Sequence, residues 1–166
     1  EELLEHWWRA AQEGNAEEIK KIASEEPGMI DLVQTNDSYL LSSTAGSRWP
    51  TGTDKILRDG MRVRVLTSDA QQGDRENLGM TALHIGCMFG RTSVVSALIL
   101  LGASTNTRNE EFNAPLHLAV MGNNAQIVEK LLENGADKEL ENDIGDTPQK
   151  MAHMMASDAV KLCFFH

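Results

Sequence analysis

Apolar positions in the second half of the chain recur with a period of about 33 residues. Leu83 is followed by Leu116 at this spacing, and Gly102 is followed by Gly135. Inside each period, two short apolar stretches are separated by a turn that contains glycine or asparagine, and a glycine follows the second stretch. The pattern predicts a pair of short helices in each period, stacked on the pair in the next period.

The ends of the predicted helices carry the residue types that stabilise helix termini. Threonine stands where a first helix begins, and its hydroxyl can accept a backbone N–H that lacks a partner within the helix. Proline follows at the first helical position, and glycine ends the second helix, where a left-handed conformation is favoured. These residues are Thr81, Thr147, Pro115, Pro148, Gly102 and Gly135. Asn123 replaces glycine in a turn between two helices, since asparagine tolerates the left-handed conformation.

The start of each period has a recognisable motif. It reads Thr81-Ala-Leu-His84 in the first copy, Ala114-Pro-Leu-His117 in the second and Thr147-Pro148 in the third. With its period, this Thr-Pro-Leu-His pattern resembles the ankyrin repeat across residues 76–162. The resemblance implies an all-α solenoid of stacked helix pairs with short β-turn fingers. Its repeats are expected at residues 76–108, 109–141 and 142–166, the last as a truncated or capping copy.

Residues 1–34 resemble a first repeat that caps the stack. Ala10, Ala11 and Gly14 match the ankyrin pattern, and Trp7 and Trp8 take the places of its leucine and histidine. Two bulky rings at these places suit the end of a stack, where one repeat has to cover more surface.

Residues 35–75 allow two interpretations, a degenerate repeat or a loop inserted between repeats. The degenerate repeat is favoured, because residues 55–65 imitate the exit of a normal repeat, with residues 39–45 as a poor first helix. In either case Met61, Val63 and Val65 alternate with arginines, which predicts a short strand in an extended finger.

Composition and charge narrow the possible functions. The chain has 166 residues, of which 41% are hydrophobic and 24% charged, and this fits one folded array of repeats. Its net charge of -10 opposes binding to phosphate backbones, so no nucleic acid is expected as a partner. No apolar run is long enough for a transmembrane segment, and no signal peptide is recognisable. Because the chain starts at Glu1 without a methionine, we expect a processed product or a fragment.

The sequence offers no constellation of catalytic residues. His84 and His117 occupy the histidine position of the repeat, and the ankyrin resemblance implies that their rings bind loop backbone. The loop aspartates lack the spacing of a calcium loop, and no phosphate-binding glycine loop is present. Cys87 and Cys163 show no metal or redox spacing and are expected to be buried thiols in a reducing compartment. We therefore expect a protein that is not an enzyme and holds neither a metal nor a cofactor.

The ankyrin resemblance implies a concave binding surface made of finger tips and the exposed side of each first helix. The predicted partner-binding residues are Asn77, Leu78, Met80, Met88, Phe89, Glu110, Glu111, Asn113, Met121, Asp143, Ile144, Asp146, Met154 and Met155. Apolar side chains at such positions predict a methionine-lined groove with acidic edges on the concave face. The groove would hold an apolar or amphipathic protein segment with basic flanks. The alternative is that these side chains pack between the fingers and helices of adjacent repeats.

Two further regions carry predictions of their own. Residues 48–75 are the basic part of an acidic chain, and they form either a solvated face or a second contact for an acidic partner, a lipid headgroup or RNA. The chain ends with Phe164 and Phe165, although a terminal repeat needs a polar outer face. We therefore expect that more protein follows, or that these rings lie against a partner.

The predicted function is that of a scaffold or adaptor, a protein–protein interaction module that binds its partner on the concave face. The alternatives are a structural or peripheral subunit of a larger assembly, and the regulatory or targeting domain of a longer protein. An intracellular, cytoplasmic location is expected from the reduced cysteines. The Trp-Trp-x-Ala-Ala start resembles the first ankyrin repeat of a chloroplast signal-recognition chaperone, so an organelle interior such as the chloroplast stroma is the alternative.

Overall fold

The computed structural model describes residues 2–34, 38–42, 53–56, 62–67 and 79–165 of the chain. The helices in these residues come in pairs, each joined by a tight turn. They are α1 Glu2–Glu13, α2 Ala16–Glu25, α3 Ala82–Met88, α4 Thr92–Leu100, α5 Pro115–Met121, α6 Ala125–Glu133, α7 Pro148–Met155 and α8 Asp158–Leu162, with 3-10 turns at Pro27–Met29 and Cys163–Phe165.

The helix pairs stack into two parallel rows. The first helices of the pairs, α1, α3, α5 and α7, contact one another in that order, and the second helices, α2, α4, α6 and α8, do the same. The core lies between the rows, where Leu83, Leu116, Val95 and Val128 are fully buried. Each pair has an apolar face that it cannot bury alone, and stacking buries it against the next pair. The structure confirms the predicted solenoid of helix pairs.

The helix ends have the geometry that the capping residues predict. The Thr81 hydroxyl oxygen accepts the backbone N–H of His84 at 3.4 Å, and the Thr147 hydroxyl oxygen accepts that of Lys150 at 3.1 Å. Gly102 follows α4 with a φ of 88°, a backbone conformation that is strained for any residue with a side chain. These local bonds satisfy donors that a short helix leaves free at its start, so each helix begins where the sequence predicts.

The N-terminal pair is part of the stack. Trp7 and Trp8 are buried in the core. The Arg91 Nε–H donates to the backbone oxygen of Gln12 at 2.7 Å, which ties the turn before α4 to the end of α1. α1 contacts α3 and α2 contacts α4, just as the later pairs contact each other. The first pair therefore lies directly beside the pair that begins at Ala82.

A second contact at this junction repeats a bond found further along the stack. The Ser104 N–H donates to the Asp31 carboxylate at 2.9 Å, and the Asp137 N–H donates to the Asn106 side-chain oxygen at 2.8 Å. Ser104 and Asp137 are one repeat period apart, so they hold equivalent places in two repeats. Burial raises the pKa of Asp31, although the bond from Ser104 partly offsets this. The first two pairs thus join as two consecutive repeats do.

Among the described residues, four short strands follow the first helix pair along the chain. They are β1 Leu32–Gln34, β2 Ser38–Ser42, β3 Thr53–Ile56 and β4 Arg62–Thr67. The sheet order is β1-β2-β4-β3, and all neighbours are antiparallel. In the central pairing, Ser38 lies opposite Thr67 and Ser42 lies opposite Val63. The strand predicted from the alternation at residues 61–65 is confirmed as β4.

The helix suggested for residues 39–45 is wrong. Residues 38–42 form β2, and residues 43–45 lie outside the described residues. The backbone groups of β2 bond to β1 and β4, so they do not form bonds within a helix. The direct contact of α1 with α3 also leaves no place for another helix pair between them. We therefore propose that residues 35–75 are the inserted segment of the second interpretation, since the described strands lie in the chain between two helix pairs that contact each other directly.

The C-terminal end divides its two phenylalanines between the core and the surface. Phe164 is buried together with Val160, so the expectation that Phe164 lies against a partner is wrong. Phe165 is exposed, and its ring meets the edge of the His153 ring with centroids 5.8 Å apart.

No helix in the described part of the chain is long and apolar enough to cross a membrane.

Candidate partner-binding surface

The loops between helix pairs are fixed by histidine bridges. The His84 Nδ1 atom accepts the Thr81 N–H at 3.1 Å, and its Nε2–H donates to the Asn113 carbonyl at 3.0 Å. His117 repeats the arrangement with the Ala114 N–H at 3.0 Å and the carbonyl of Asp146 at 3.1 Å. Each bridge links the start of one helix to the finger of the next repeat. The structural role expected for both histidines is confirmed.

These bridges require neutral imidazole rings. A backbone N–H only donates and a carbonyl only accepts, so Nδ1 has to be free of a proton and Nε2 has to carry one. Burial lowers the pKa of His84 to about 4, and it also lowers the pKa of His117. Both rings are fully buried. Neither histidine can therefore contact a ligand at the surface.

Exposed apolar side chains lie where the first helices end. Phe89 is 45% exposed, Met121 54%, Met154 71% and Met155 61%. We call these four residues the methionine row. Met121 and Met154 are one repeat period apart, and so occupy equivalent places on the adjacent helices α5 and α7. Residues Pro115 to Val120 of α5 are all buried, so Met121 is the exposed residue of this helix.

Two predicted contact methionines are not on this surface. Met80 is buried, and its sulfur accepts a hydrogen bond from the Asn109 side-chain amide at 3.7 Å. Met88 is half-buried and packs against the core. For Met80 the prediction of a partner contact is wrong, because the next finger covers it. For Met88 the surface available to a partner is small.

The finger tips place acidic side chains in solvent. Glu110, Glu111 and Asp143 are exposed, as predicted for the acidic edge, and Ile144 beside them is 74% exposed. Asp146 is half-buried, and its carboxylate forms an ion pair with Lys150. Asn77 and Leu78 lie outside the described residues.

Asn113 is a structural residue, so its predicted role in partner contact is wrong. Its side chain is buried. The Asn113 amide nitrogen donates to the Glu111 carboxylate at 3.0 Å, and its side-chain oxygen accepts from Asn142 at 3.2 Å. Its backbone oxygen is already engaged by His84. The bond from Asn142 joins two neighbouring fingers, the bond to Glu111 lies within one finger, and the bond from His84 ties the finger to the start of α3.

Phe112 belongs to the finger surface but is absent from the sequence prediction. It is half-buried at a finger tip, with a φ of 60°. Gly79 stands one repeat period before it and Gly145 one period after it, and both also have a positive φ. The sequence signal that could have found Phe112 is this spacing, since an aromatic residue replaces a glycine that both neighbouring repeats keep.

A family model of ankyrin repeats in three copies matches residues 56–142, just over half of the chain. The chain belongs to the ankyrin-repeat family. The ankyrin histidine bridges, the helix pairs and the regular repeat period agree with this membership.

Similar ankyrin-containing stretches occur in proteins with different names. BCL-6 corepressor-like protein 1 of Homo sapiens is 37% identical over 140 residues, which cover 84% of this chain and 8% of that protein. The inactive serine/threonine-protein kinase TEX14 of Bos taurus is 35% identical over 98 residues, 59% of this chain and 6% of that protein. Protein phosphatase 1 regulatory subunit 27 of Mus musculus is 33% identical over 84 residues, 51% of this chain and 54% of that protein. The chain thus spans only part of the length of each relative.

The match to the corepressor-like protein includes the strand-containing segment. An alignment that covers 84% of a 166-residue chain has to contain residues 35–75. The segment is therefore aligned together with residues that the ankyrin family model matches.

The remaining candidate sites in this ankyrin protein are the basic segment, the two cysteines and a possible metal site. The basic segment 48–75 lies outside the described residues except for β3 and β4. Cys87 is buried, and burial raises the pKa of its thiol, whereas Cys163 is only half-buried, contrary to expectation. Within residues 2–34 and 79–165 and the described strands, no three His, Cys, Asp or Glu side chains are grouped to hold a metal ion. The described surface therefore has exposed apolar side chains at the helix ends and exposed carboxylates at the finger tips.

Proposed function

We propose that this chain is a non-catalytic ankyrin module that binds a protein partner on the concave face, through the methionine row and the finger tips. Ankyrin repeats are protein-interaction modules. The observation that carries the proposal is the exposure of Met121 and Met154 at equivalent positions on adjacent helices, together with exposed Phe89 and Met155 at the ends of α3 and α7. Exposed apolar side chains that line up across repeats are typical of an interaction surface.

The charge beside the row indicates the chemistry of the partner. Glu110, Glu111 and Asp143 have no ion pair within the part of the chain that the structure describes. The chain as a whole carries a net charge of -10. A partner segment with apolar residues in its centre and lysine or arginine in its flanks would complement both features. A nucleic acid would be repelled.

The row can contribute several kcal/mol to the binding free energy. Burying a fully exposed methionine or phenylalanine stabilises a complex by about 1.5–3 kcal/mol, so a half-exposed side chain contributes about 1 kcal/mol. Methionine side chains are flexible, so they can adapt to the shape of a partner segment. Replacing three residues of the row with serine should therefore lower affinity by about 3 kcal/mol, or roughly a hundredfold.

The test is a selection from a library of random peptides displayed on phage. The target is the wild-type chain, and the recovered peptides are then measured against the triple variant Phe89→Ser, Met121→Ser and Met154→Ser. The matched control is Leu100→Ser, because Leu100 is 85% exposed at the end of the second-row helix α4. We expect recovered peptides with an apolar centre and basic flanks, which bind wild type and the control alike but not the triple variant.

Two outcomes would overturn the proposal. One is that the triple variant, with helical content unchanged by circular dichroism, binds the selected peptides as tightly as wild type. The other is that loss of binding coincides with loss of helical content, which would mean that the row is part of the core.

A second candidate function is the regulatory or targeting domain of a longer protein, or a peripheral subunit of an assembly. It is favoured by the relatives, of which one is named a regulatory subunit and two match over less than a tenth of their length. Sedimentation of the purified chain separates the candidates. A monodisperse monomer that binds the selected peptides supports the stand-alone module, and aggregation that only a partner relieves supports the subunit.

We further propose an intracellular location on the basis of the free cysteines. Cys87 and Cys163 are free thiols. Free thiols persist in a reducing environment, so we place the chain inside the cell, in the cytoplasm, with an organelle interior such as the chloroplast stroma as the alternative. Localisation of a fluorescent fusion is the direct test.

A further inference from the structure

The finger from Asn109 to Asn113 differs from the fingers on either side of it. Phe112 stands at its tip in the left-handed conformation, where the neighbouring fingers have Gly79 and Gly145. The surroundings of the two equivalent glycines differ, since a Cβ atom at Gly79 would lie 2.7 Å from the Glu110 nitrogen, whereas at Gly145 nothing lies within 4 Å. An aromatic residue with a positive φ is a rare conformation. The finger therefore keeps an aromatic ring at a place where glycine would fit with less strain.

The ring of Phe112 already contacts a cation. The Arg108 guanidinium lies over it, 5.7 Å from the ring centroid. Phe112 is only half-buried, so part of the ring remains accessible. The face of an aromatic ring attracts a guanidinium or ammonium group and also packs well on the aliphatic stem of arginine or lysine.

The charges near the ring favour a second cation. Glu110 and Glu111 are exposed on the same finger, and the Asp143 N–H donates to the backbone oxygen of Glu111 at 3.0 Å. Glu110, Glu111 and Asp143 have no ion pair among the described residues, whereas a single guanidinium lies over the ring. The Asn113 amide bonds to the Glu111 carboxylate at 3.0 Å and holds it in place.

We propose that the tip of this finger binds a lysine or arginine side chain of the partner segment. The Phe112 ring packs against the stem, and the carboxylates of Glu110 and Glu111 receive the charged head. The proposal rests on the proposed function, because the basic residue lies in the flank of the segment that covers the methionine row. It adds which residues of this chain select for the basic flank.

The experiment is a double-mutant cycle with one selected peptide. The two peptides compared are the original and a version whose lysines and arginines are replaced with glutamine. The protein variants are Phe112→Gly and the double variant Glu110→Gln with Glu111→Gln, and Leu100→Ala is the control. Dissociation constants come from fluorescence anisotropy, and thermal unfolding is measured for every variant.

We expect Phe112→Gly to weaken binding of the original peptide about three- to fivefold, as loss of an exposed cation–π contact implies. The glutamine peptide should bind wild type and Phe112→Gly alike, since the cycle isolates the pair that interacts. The Glu110 and Glu111 double variant should also weaken only the original peptide. Leu100→Ala should change neither affinity.

The proposal is overturned if Phe112→Gly weakens both peptides equally, or weakens neither. It is also overturned if Phe112→Gly unfolds at a much lower temperature, because the ring would then be a structural part of the finger. Failure of the proposed function has a different result, namely that the triple variant of the methionine row keeps full affinity for both peptides.

Discussion

The histidine bridge between fingers makes the stability of the fold depend on pH. The His84 ring is fully buried and donates to the Asn113 carbonyl at 3.0 Å, which only the neutral ring can do while Nδ1 accepts the Thr81 N–H. Burial lowers the pKa of His84 from 6.5 to about 4. Between these two values the unfolded chain binds a proton that the folded chain does not. The free energy of unfolding therefore falls as the pH falls through this window, and the contribution is complete above it.

The size of this effect follows from the difference between the two pKa values. Each pKa unit corresponds to about 1.4 kcal/mol, so a shift from 6.5 to about 4 corresponds to about 3 kcal/mol. This is a large share of the stability of a small domain, which is about 5–15 kcal/mol. Acidification to about pH 4.5 should remove most of the contribution of His84.

The assay is urea unfolding followed by circular dichroism at about pH 7.5, 6.5, 5.5 and 4.5. His84→Gln is the comparison, because glutamine does not titrate and its amide can still donate towards Asn113. The carboxylates titrate in both proteins, so the difference between wild type and variant isolates the histidine. We expect the advantage of wild type to shrink by about 2–3 kcal/mol from the highest to the lowest pH. A difference that stays constant with pH would refute the reasoning.

Three further substitutions test how the repeats are held. Gly79→Ala should cost more stability than Gly102→Ala, because a Cβ at Gly79 would lie 2.7 Å from the Glu110 nitrogen, whereas at Gly102 nothing lies within 4 Å; the left-handed conformation costs about 1–2 kcal/mol in either case, and thermal unfolding measures the difference. Thr147→Ala should cost about 1 kcal/mol in urea unfolding, since it removes the hydroxyl that caps α7. Leu116→Ala should cost about 2–5 kcal/mol in the same assay, because Leu116 is fully buried.

The helix pairs could be predicted because their determinants are local and repeated. The helix caps of Thr81 and Thr147 involve residues three positions away in the chain, so a short stretch of sequence contains both bonding partners. The repeat period then places equivalent buried positions such as Leu83 and Leu116 without knowledge of the contacts between them.

The strands between α2 and α3 could not be predicted in the same way because their contacts are distant in sequence. In β2, Ser38 pairs with Thr67 and Ser42 pairs with Val63, so the bonds that decide its conformation come from β4. The sequence of residues 39–45 by itself does not indicate that β4 is the pairing partner. Residues 39–45 taken alone are compatible with a degenerate repeat, but whether a segment forms a strand depends on the other segments with which it pairs.

The exposure of the predicted contact residues was only partly predictable for a related reason. A position in the repeat indicates which way a side chain points, but not whether the next finger covers it. Met80 and Met121 are both methionines at predicted contact positions, yet Asn109 of the next finger contacts Met80, and Met121 remains exposed. Phe112 was missed because a finger tip normally has glycine, and its replacement has a meaning only once its backbone conformation is known.

The central claim is that a partner segment covers the methionine row, and NMR of labelled methionine methyl groups tests it most directly. The chain has eight methionines, and the structure places Met121, Met154 and Met155 in solvent while Met29 and Met80 are buried. On titration with a selected peptide, the account predicts that the signals of Met121, Met154 and Met155 shift while those of Met29 and Met80 stay in place. Binding of the peptide without any shift at the three exposed methionines would contradict it.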